Sequence, residues 1–403
     1  MSSTYLNLQT LLIMADSSGA GVMDFVFRIR PDALEVLGSR EIVERLSWYF
    51  DVMKGKKPAK FILTKRLGSG IRAEQIASYN TQELWELHDR LHLKFLKIRE
   101  KIKNGEMLID EIHLMDGEAS YLDVKIELSR RMLTKCELCE WRCGIDRTGG
   151  KVGVCRVNGS GAYVDTHFIH LGEEAPLVPS GTIFYVGCSF RCAYCQNWTI
   201  SQRNPSLSEL KTPEQLARIQ EELSFEGARN INHVGGEPTP HLPFIISSLK
   251  HLNVNIPQLW NSNFYMSEEA INLLLDVIDI WLPDFKYGSD ECAYRLSSIR
   301  NYVDTVKRNL LLAHEHGDII IRHLLLPGHI ECCTKRIIEW VAAYLQRALL
   351  NIMDQYRPDF LVTRYPERWS ELKRTPDKEV MEAYEYALRV GLSPTRFQLW
   401  FKK

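Results

Sequence analysis

After Gly181, six short apolar runs alternate with longer helical patterns, and this alternation constrains the fold more than any other feature of the sequence. The predicted strands are 182–186, 230–234, 258–261, 278–285, 318–326 and 349–354. Between them, apolar residues at helical spacing predict helices at 213–223, 267–275, 303–316 and 334–348. Successive strand–helix units build an α/β fold with a parallel sheet, either curved toward a barrel or wound flat. Functional groups then belong at the carboxyl ends of the strands.

Two further regions precede this one. Residues 1–130 carry apolar residues mainly at helical spacing, which predicts a mostly helical N-terminal region. Residues 131–180 are predicted to be a cysteine-rich metal-binding element. Between Thr134 and Ser160 the sequence is rich in Gly and Cys and poor in periodicity, which is typical of a small loop-built element held by a metal. The strand–helix units occupy 181–403. At 403 residues, the chain is long enough for more than one such unit.

Composition and charge exclude several classes of protein. The chain is 45% hydrophobic and 25% charged, as soluble globular proteins are, and its net charge of -1 argues against nucleic acid and against anionic membranes. No apolar run approaches the roughly 18 to 20 residues of a membrane span, and a basic leader is absent. We therefore expect a cytoplasmic protein without membrane attachment. In that reducing compartment, clustered cysteines indicate metal ligation rather than disulfides.

Three cysteines directly follow the first predicted strand, with the spacing Cys188-x3-Cys192-x2-Cys195. A [4Fe-4S] cluster normally takes four cysteine ligands, so three in a compact loop leave one iron open to a small-molecule chelate. The alternative is a zinc site completed by His233 or by a distant cysteine.

The second and third strands also end in polar or glycine-rich turns. Gly235 and Gly236 would let backbone approach a ligand, and the carboxylate of Glu237 could accept hydrogen bonds from an ammonium group. Glu237 could instead cap the next helix. The amide of Asn261 could bind a ribose, or could simply form a turn.

Charged residues mark the fourth and fifth strands. Alternation along a strand places Asp284 and Lys286 on one face, either as a cofactor contact or as a surface ion pair. Arg322 interrupts an apolar strand, and a buried arginine needs a partner. That partner is either a bound carboxylate or a carboxylate of the chain itself.

A second group of four cysteines, Cys136, Cys139, Cys143 and Cys155, lies within twenty positions. Four thiolates can close a site around zinc or a [4Fe-4S] cluster, and the spacing does not choose between them. Reduced thiols without a metal are the third alternative. The remaining Cys292, Cys332 and Cys333 are expected to be free, buried thiols.

These motifs together resemble a known family. The three-cysteine loop, with Tyr194 before its third cysteine, resembles the signature of the radical S-adenosylmethionine (SAM) superfamily, whose partial (β/α)6 parallel barrel carries this loop after its first strand. The resemblance implies that Tyr194 contacts the cofactor. Gly235-Gly236-Glu237 resembles the family's contact to the amino group of SAM. The Asp284-x-Lys286 element and the strand with Arg322 resemble the glycyl-radical-enzyme activases, which implies that Arg322 contacts the methionyl carboxylate. The cysteine-rich element resembles a pyruvate formate-lyase activating enzyme-like branch.

The resemblance implies a radical SAM iron-sulfur enzyme. Its cofactors would be a [4Fe-4S] cluster and SAM, with a second Fe-S cluster or zinc at the other cysteine group. It would cleave SAM to a 5'-deoxyadenosyl radical and take hydrogen from an unidentified substrate, for which a protein competes with RNA, a lipid or a small metabolite. An electron donor such as ferredoxin or flavodoxin is implied as partner. The alternative is an iron-sulfur electron-transfer or metal-binding module that does not cleave SAM. No side chain is required as a general base.

Overall fold

The computed structural model describes residues 26–202 and 208–394. Its α-helices are α1 Asp32–Glu35, α2 Arg40–Arg45, α3 Ser47–Met53, α4 Lys60–Arg66, α5 Thr81–Lys103, α6 Tyr121–Arg131, α7 Trp198–Gln202, α8 Pro213–Phe225, α9 Leu242–His251, α10 Glu268–Leu274, α11 Asp290–Ser297, α12 Tyr302–His316, α13 Lys335–Tyr344, α14 Leu361–Arg364 and α15 Asp377–Arg389. Its strands are β1 Gly68–Arg72, β2 Glu118–Ser120, β3 Ala162–His170, β4 Ser180–Tyr185, β5 Glu209–Lys211, β6 Ile231–Gly235, β7 Gln258–Ser262, β8 Ile280–Pro283, β9 Asp318–Leu324 and β10 Leu349–Met353. Among these residues, no helix has both the length and the apolar character to cross a bilayer.

Strands β4, β6, β7, β8, β9 and β10 run parallel, and each pairs with the next one along the chain. They match the six predicted strands to within two residues at each end, because buried parallel strands read as continuous apolar runs. The helices α8, α10, α12 and α13 occupy the predicted positions between them, although α13 ends four residues earlier than expected. The α/β fold, a series of parallel strand–helix units in the order of a partial barrel, is confirmed.

Two antiparallel strands extend the sheet beyond β4. β3 pairs with β4 and β5 pairs with β3, so the sheet has eight strands in the order β10-β9-β8-β7-β6-β4-β3-β5. The segment predicted to be loop-built, 134–160, contains no named helix or strand, and the nine-residue β3 follows it within the span 131–180. This strand carries Asp, Thr and two His among its apolar residues, so it lacked the apolar run that marked the parallel strands.

Each face of the parallel sheet has its own hydrophobic layer. On one face, the side chains of β7 to β10 pack against α2, α3 and the turn at 175–177, through Leu259, Ile280, Leu282, Ile320 and Leu349. On the other face, a larger core gathers the helices that connect the strands. The larger core also contains residues from the predicted N-terminal and cysteine-rich regions, so these pack continuously onto the sheet.

The N-terminal helices cover the amino ends of the strands. The indole N–H of Trp48 donates to Asp279, just before β8, at 2.9 Å. The backbone N–H of Tyr49 donates to Asp318, the first residue of β9, at 2.8 Å, and the Tyr49 hydroxyl donates to the carbonyl of Pro176 at 3.0 Å. This leaves the opposite, carboxyl edge as the edge where functional groups were predicted.

A buried polar cluster attaches α5 and α6 to the sheet. The carboxylate of Asp276, before β8, lies 3.1 Å from the ammonium of Lys125, and both side chains are 0% exposed. The hydroxyl of Tyr121 donates to Asp276 at 2.7 Å, and Nδ1 of His92 lies 3.0 Å from the same carboxylate.

The boundaries between the three predicted regions, near residues 130 and 180, stay predictions.

Candidate active site

The three predicted cluster ligands lie on the loop that follows β4, at the carboxyl edge of the parallel strands. Cys188 and Cys192 are buried, and Cys195 is half-buried. Gly187 begins the loop with a φ of +83°, and a Cβ atom there would lie 2.6 Å from the carbonyl oxygen of Cys155. A glycine is therefore required where the loop passes the second cysteine group.

Hydrogen-bond partners surround all three sulfur atoms. In the order of the cysteines they are the backbone N–H of Phe190 at 3.3 Å, the hydroxyl of Ser297 at 2.9 Å and the hydroxyl of Ser201 at 3.2 Å. Burial raises the pKa of all three thiols, that of Cys192 to about 11, so thiolates at this place require a positive partner. Buried sulfurs with such partners fit the ligands of an iron-sulfur cluster.

Tyr194 contributes to this arrangement through its hydroxyl. It lies 2.6 Å from the hydroxyl of Tyr287, which lies 2.5 Å from the hydroxyl of Ser297, which donates to the sulfur of Cys192. The predicted cofactor contact of Tyr194 is untested, but its hydroxyl belongs to a chain of hydrogen bonds that ends on a cluster ligand.

Glu237 is buried and faces the same edge. Its carboxylate accepts hydrogen bonds from the backbone N–H and hydroxyl of Thr239, at 3.2 and 2.5 Å, and from the N–H of Asn263 at 2.9 Å. Burial nevertheless raises the pKa of Glu237 to about 7. An ammonium group beside this carboxylate would offset the cost of its ionisation.

The two glycines before Glu237 allow close packing of backbone on backbone. At Gly235, with a φ of +116°, a Cβ atom would lie 2.3 Å from the backbone nitrogen and oxygen of Tyr185. At Gly236 it would lie 2.2 Å from the carbonyl oxygen of Gly187. Both glycines thus bring the end of β6 against the three-cysteine loop, in addition to any role beside a ligand.

Asp284 and Lys286 form the predicted pair just after β8. The ammonium nitrogen of Lys286 lies 2.6 Å from a carboxylate oxygen of Asp284. Burial lowers the pKa of Lys286, but the negative charges of Asp284 and of the Cys192 and Cys188 thiolates outweigh it and raise this pKa above its usual value. The pair therefore lies within electrostatic reach of the cysteine loop, as a cofactor contact would.

Arg322 has partners within the chain. Its guanidinium binds Glu173 and Glu174, the latter at 2.6 and 2.7 Å. Asn232 donates to Glu173 at 2.9 Å and Asn351 donates to Glu174 at 2.7 Å, so both carboxylates are fully engaged. The contact of Arg322 to a bound carboxylate is untested, and the geometry favours the structural ion pair. Its partners lie about 150 positions away in the sequence, where spacing gives no signal.

Two asparagines lie at the end of β7, Asn261 on the strand and Asn263 directly after it. Asn261 is buried, and within the described residues its amide nitrogen has no hydrogen-bond partner. A buried donor without a partner is costly, so this amide is available to a ligand. Asn263, whose amide was also a candidate for binding a ribose, donates from its side chain to the hydroxyl of Ser189 at 3.2 Å and lies 3.8 Å from the sulfur of Cys188.

The second cysteine group lies directly beside the first. All four cysteines line one cavity together with Trp141, Arg147, Ser189 and Thr239, among others. The backbone N–H of Cys188 donates to the carbonyl of Cys155 at 3.3 Å, and the indole of Trp141 donates to the carbonyl of Ser189 at 3.0 Å. The guanidinium of Arg191 also donates to the carbonyl of Val154.

Sulfur spacing distinguishes the two groups from a compact zinc site. In a tetrahedral zinc site with Zn–S bonds of about 2.3 Å, the sulfurs lie about 3.8 Å apart. Within the described part of the chain, no three thiols of either group lie within 4.8 Å of one another. In the described part of the chain, neither group therefore has the sulfur spacing of a compact zinc site.

Comparison with known proteins gives two relatives and several structural neighbours. The chain is 38% identical over 353 residues to uncharacterized protein MJ0674 of Methanocaldococcus jannaschii, covering 86% of this chain and 98% of that protein. It is 25% identical over 213 residues to MJ0808 of the same organism, covering 51% and 59%. SuiB of Streptococcus suis bound to S-adenosylmethionine aligns with a TM-score of 0.37 and 17% identity over 50% of this chain, which spans 44% of SuiB. TYW1 with a lysine-pyruvate adduct aligns with a TM-score of 0.33 and 14% identity, over 52% of this chain and 73% of TYW1.

A model of one protein family matches part of the chain. The model of the radical SAM superfamily matches residues 182–341, from β4 through α13, and this span contains the three-cysteine loop and Glu237. Residues 182–341 are therefore a domain of the radical SAM superfamily, and membership of that superfamily implies an enzyme that uses a [4Fe-4S] cluster and S-adenosylmethionine.

Proposed function

We propose that Cys188, Cys192 and Cys195 hold a [4Fe-4S] cluster at which SAM is reductively cleaved. The observation that carries this proposal is the set of two buried thiols and one half-buried thiol, each with a hydrogen-bond partner, at the carboxyl edge of the parallel strands. When bound, the cluster supplies one electron that splits SAM into methionine and a 5'-deoxyadenosyl radical, which takes a hydrogen atom from the substrate.

The residues of the chain bind and orient SAM in this proposal. The carboxylate of Glu237 accepts from the ammonium group, and the unpaired amide nitrogen of Asn261 donates to an oxygen of the cofactor. Asp284 and Lys286 provide one charge of each sign at the same edge. Arg322 is left out of these contacts because Glu173 and Glu174 already occupy its guanidinium.

The electron donor is proposed to be an acidic one-electron carrier, such as ferredoxin or flavodoxin. Beside the three-cysteine loop, Arg156 and Arg364 flank the stacked rings of Trp198 and Phe360, whose centroids lie 5.2 Å apart. This open, positively charged surface is complementary to an acidic carrier. The second cysteine group, next to the loop, suits a second [4Fe-4S] cluster that passes electrons, since its four thiolates would leave no iron open.

For the substrate, we propose a protein, which would make the chain activase-like. The support for this step is the sequence resemblance of the cysteine-rich element and of Asp284-x-Lys286 to activating enzymes. The rival function is an electron-transfer or metal-binding module that does not cleave SAM. A pure electron carrier has no use for the buried Glu237 or for the unpaired amide of Asn261.

The test is formation of 5'-deoxyadenosine. Protein purified anaerobically, reconstituted with iron and sulfide and reduced with dithionite should release 5'-deoxyadenosine from SAM, measured by liquid chromatography. Cys192→Ala should release none. Glu237→Gln should raise the KM for SAM about tenfold or more, since a charge-assisted hydrogen bond is lost, whereas Glu74→Gln, on the exposed surface, should match the wild type.

Two results would contradict the proposal. A fully loaded cluster that yields no 5'-deoxyadenosine with any reductant, and whose spectrum SAM leaves unchanged, would favour the electron-transfer module. Equal KM values for Glu237→Gln and Glu74→Gln would remove Glu237 from the SAM site. If the wild type does form 5'-deoxyadenosine, transfer of deuterium between 5'-deoxyadenosine and candidate protein substrates would identify the substrate.

A further inference from the structure

Three cysteines and one histidine meet on the flank of the sheet, outside both cysteine groups described above. Cys292 lies in the first turn of α11, and His329 follows β9. Cys332 and Cys333 lie in the π-helical turn Ile330–Thr334 that leads into α13. Such turns are rare and occur often at functional sites. Here the wider turn brings both cysteines to the side of His329.

The four ligand atoms lie at distances that suit one metal ion. All are within 4.8 Å of one another. The sulfurs of Cys292 and Cys332 are 3.6 Å apart, and Nδ1 of His329 lies 3.5, 3.3 and 3.9 Å from the sulfurs of Cys292, Cys332 and Cys333. A zinc tetrahedron with Zn–S bonds of about 2.3 Å and Zn–N bonds of about 2.0–2.1 Å requires about 3.8 Å between sulfurs and about 3.5 Å between sulfur and nitrogen.

We propose that Cys292, His329, Cys332 and Cys333 form a structural zinc site. Three thiolates and one imidazole are a common ligand set of structural zinc, and four protein ligands leave no open position for chemistry. Cys292, His329 and Cys333 are buried and Cys332 is half-buried, so solvent does not compete strongly for the ion. The close spacing of these ligand atoms excludes a [4Fe-4S] cubane, whose ligand atoms lie farther apart.

A metal on His329 would displace the side chain of Arg295. Its guanidinium lies 3.2 Å from Nε2 of His329, a position that suits an unprotonated Nε2. With zinc on Nδ1, Nε2 carries the proton of the neutral ring, and two donors cannot share one hydrogen bond. The Arg295 side chain is 48% exposed and also pairs with Glu371 at 2.5 Å, so it can turn toward Glu371 and solvent.

The zinc would fix the first turn of α11, at the opposite end from the residues that contact the three-cysteine loop. At its other end, α11 supports the three-cysteine loop: the carbonyls of Leu296 and Ser297 accept from the N–H groups of Ala193 and Arg191, at 2.8 and 3.0 Å. The hydroxyl of Ser297 donates to the sulfur of Cys192. One eight-residue helix thus joins the proposed zinc site to a cluster ligand.

The test is zinc content and zinc K-edge absorption of the full-length protein, purified anaerobically. We expect about one zinc per chain, with three sulfurs at about 2.3 Å and one nitrogen at about 2.0–2.1 Å. This measurement needs no variant and does not depend on the iron content. Cys333→Ser should lose this zinc, whereas Cys139→Ser, in the second cysteine group, should keep it with the same ligands. His329→Cys should keep the zinc with four sulfurs.

Several outcomes would overturn the proposal. These are less than about a tenth of a zinc per wild-type chain, a four-sulfur environment in the wild type, or zinc retained by Cys333→Ser but lost by Cys139→Ser. Loss of iron rather than zinc from Cys333→Ser would assign the site to another metal. A disulfide between Cys292 and Cys332 in the anaerobically purified protein, found by peptide mapping, would show that these two cysteines form a redox pair rather than a zinc site.

Discussion

At the scale of single residues, buried polar groups at the strand ends are held in one protonation state by their neighbours. His233, on β6, is 0% exposed and lies between the hydroxyl of Tyr185 at 2.9 Å and the side-chain oxygen of Gln258 at 3.0 Å. The tyrosine donates to Nδ1 and Nε2–H donates to the glutamine, so the ring is neutral. Burial lowers the pKa of His233 to about 4.

This neutral histidine makes the fold sensitive to acid. In the unfolded chain the pKa of a histidine is about 6.5. Between pH 6.5 and 4 the unfolded state therefore binds a proton that the folded state does not bind. Stability is therefore lost as the pH falls through this window. Relative to His233→Gln, which binds no proton, the wild type should lose up to about 3 kcal/mol between pH 6.5 and 4.

Urea unfolding at a series of pH values measures this difference. The exposed His113→Gln serves as the control and should follow the wild-type profile. Parallel profiles for the wild type and His233→Gln would show that the ring takes up its proton at the same pH in the folded and the unfolded chain, which would contradict the prediction.

At this scale, a site can be predicted from the sequence where one short segment contains the whole signal. The cysteine loop and Gly235-Gly236-Glu237 are such segments, and the structure places both at one edge of the sheet. It could not supply the partners of Arg322, because Glu173 and Glu174 are brought to it only by the sheet. The same holds for Cys292, which lies 37 positions before His329.

At the scale of secondary structure elements, the contact between the end of β6 and the end of β4 leaves no room for a side chain. The parallel strands themselves were predictable because their apolar runs are continuous. β3 and β5 were not, since an antiparallel strand with polar residues on one face and a three-residue edge strand carry weak patterns.

Gly235→Ala should therefore separate β6 from β4. The added Cβ would lie 2.3 Å from backbone atoms of Tyr185, which cannot move aside as a flexible side chain does. We expect a loss of about 3 kcal/mol or more. Gly105→Ala is the matched control: its φ of +75° is also left-handed, but nothing lies within 4 Å of the new Cβ, so it should cost about 1–2 kcal/mol. Equal thermal midpoints for the two variants would refute the steric argument.

At the scale of the whole molecule, the mostly helical region from residue 26 to residue 130 packs onto the parallel sheet. Trp48 contacts Asp279 across 231 positions, and α6 reaches Asp276 through Lys125. The helical content of this region could be predicted from its periodicity, but its position could not, because no local pattern tells which end of a sheet a helix covers.

Asp276→Asn should loosen this attachment. The ammonium of Lys125 would stay buried without a carboxylate, and breaking a buried pair from one side costs about 3–5 kcal/mol. The exposed pair of Arg66 and Asp110, with side chains 42% and 84% exposed, provides the comparison, and Asp110→Asn should cost less than about 1 kcal/mol. Limited proteolysis should then release fragments of the N-terminal region from Asp276→Asn first. Equal proteolysis of both variants would contradict a supporting role for Asp276.

The contact between the two cysteine loops bears on how the protein matures. Cys188 is positioned by the carbonyl of Cys155, and Ser189 by the indole of Trp141, while the segment that supplies both partners contains no helix or strand of its own. The three-cysteine loop therefore takes its final form only when the earlier loop is also in place, in addition to the support that α11 gives it. A defect in the upstream cysteines would then appear as poor iron loading at the downstream ones.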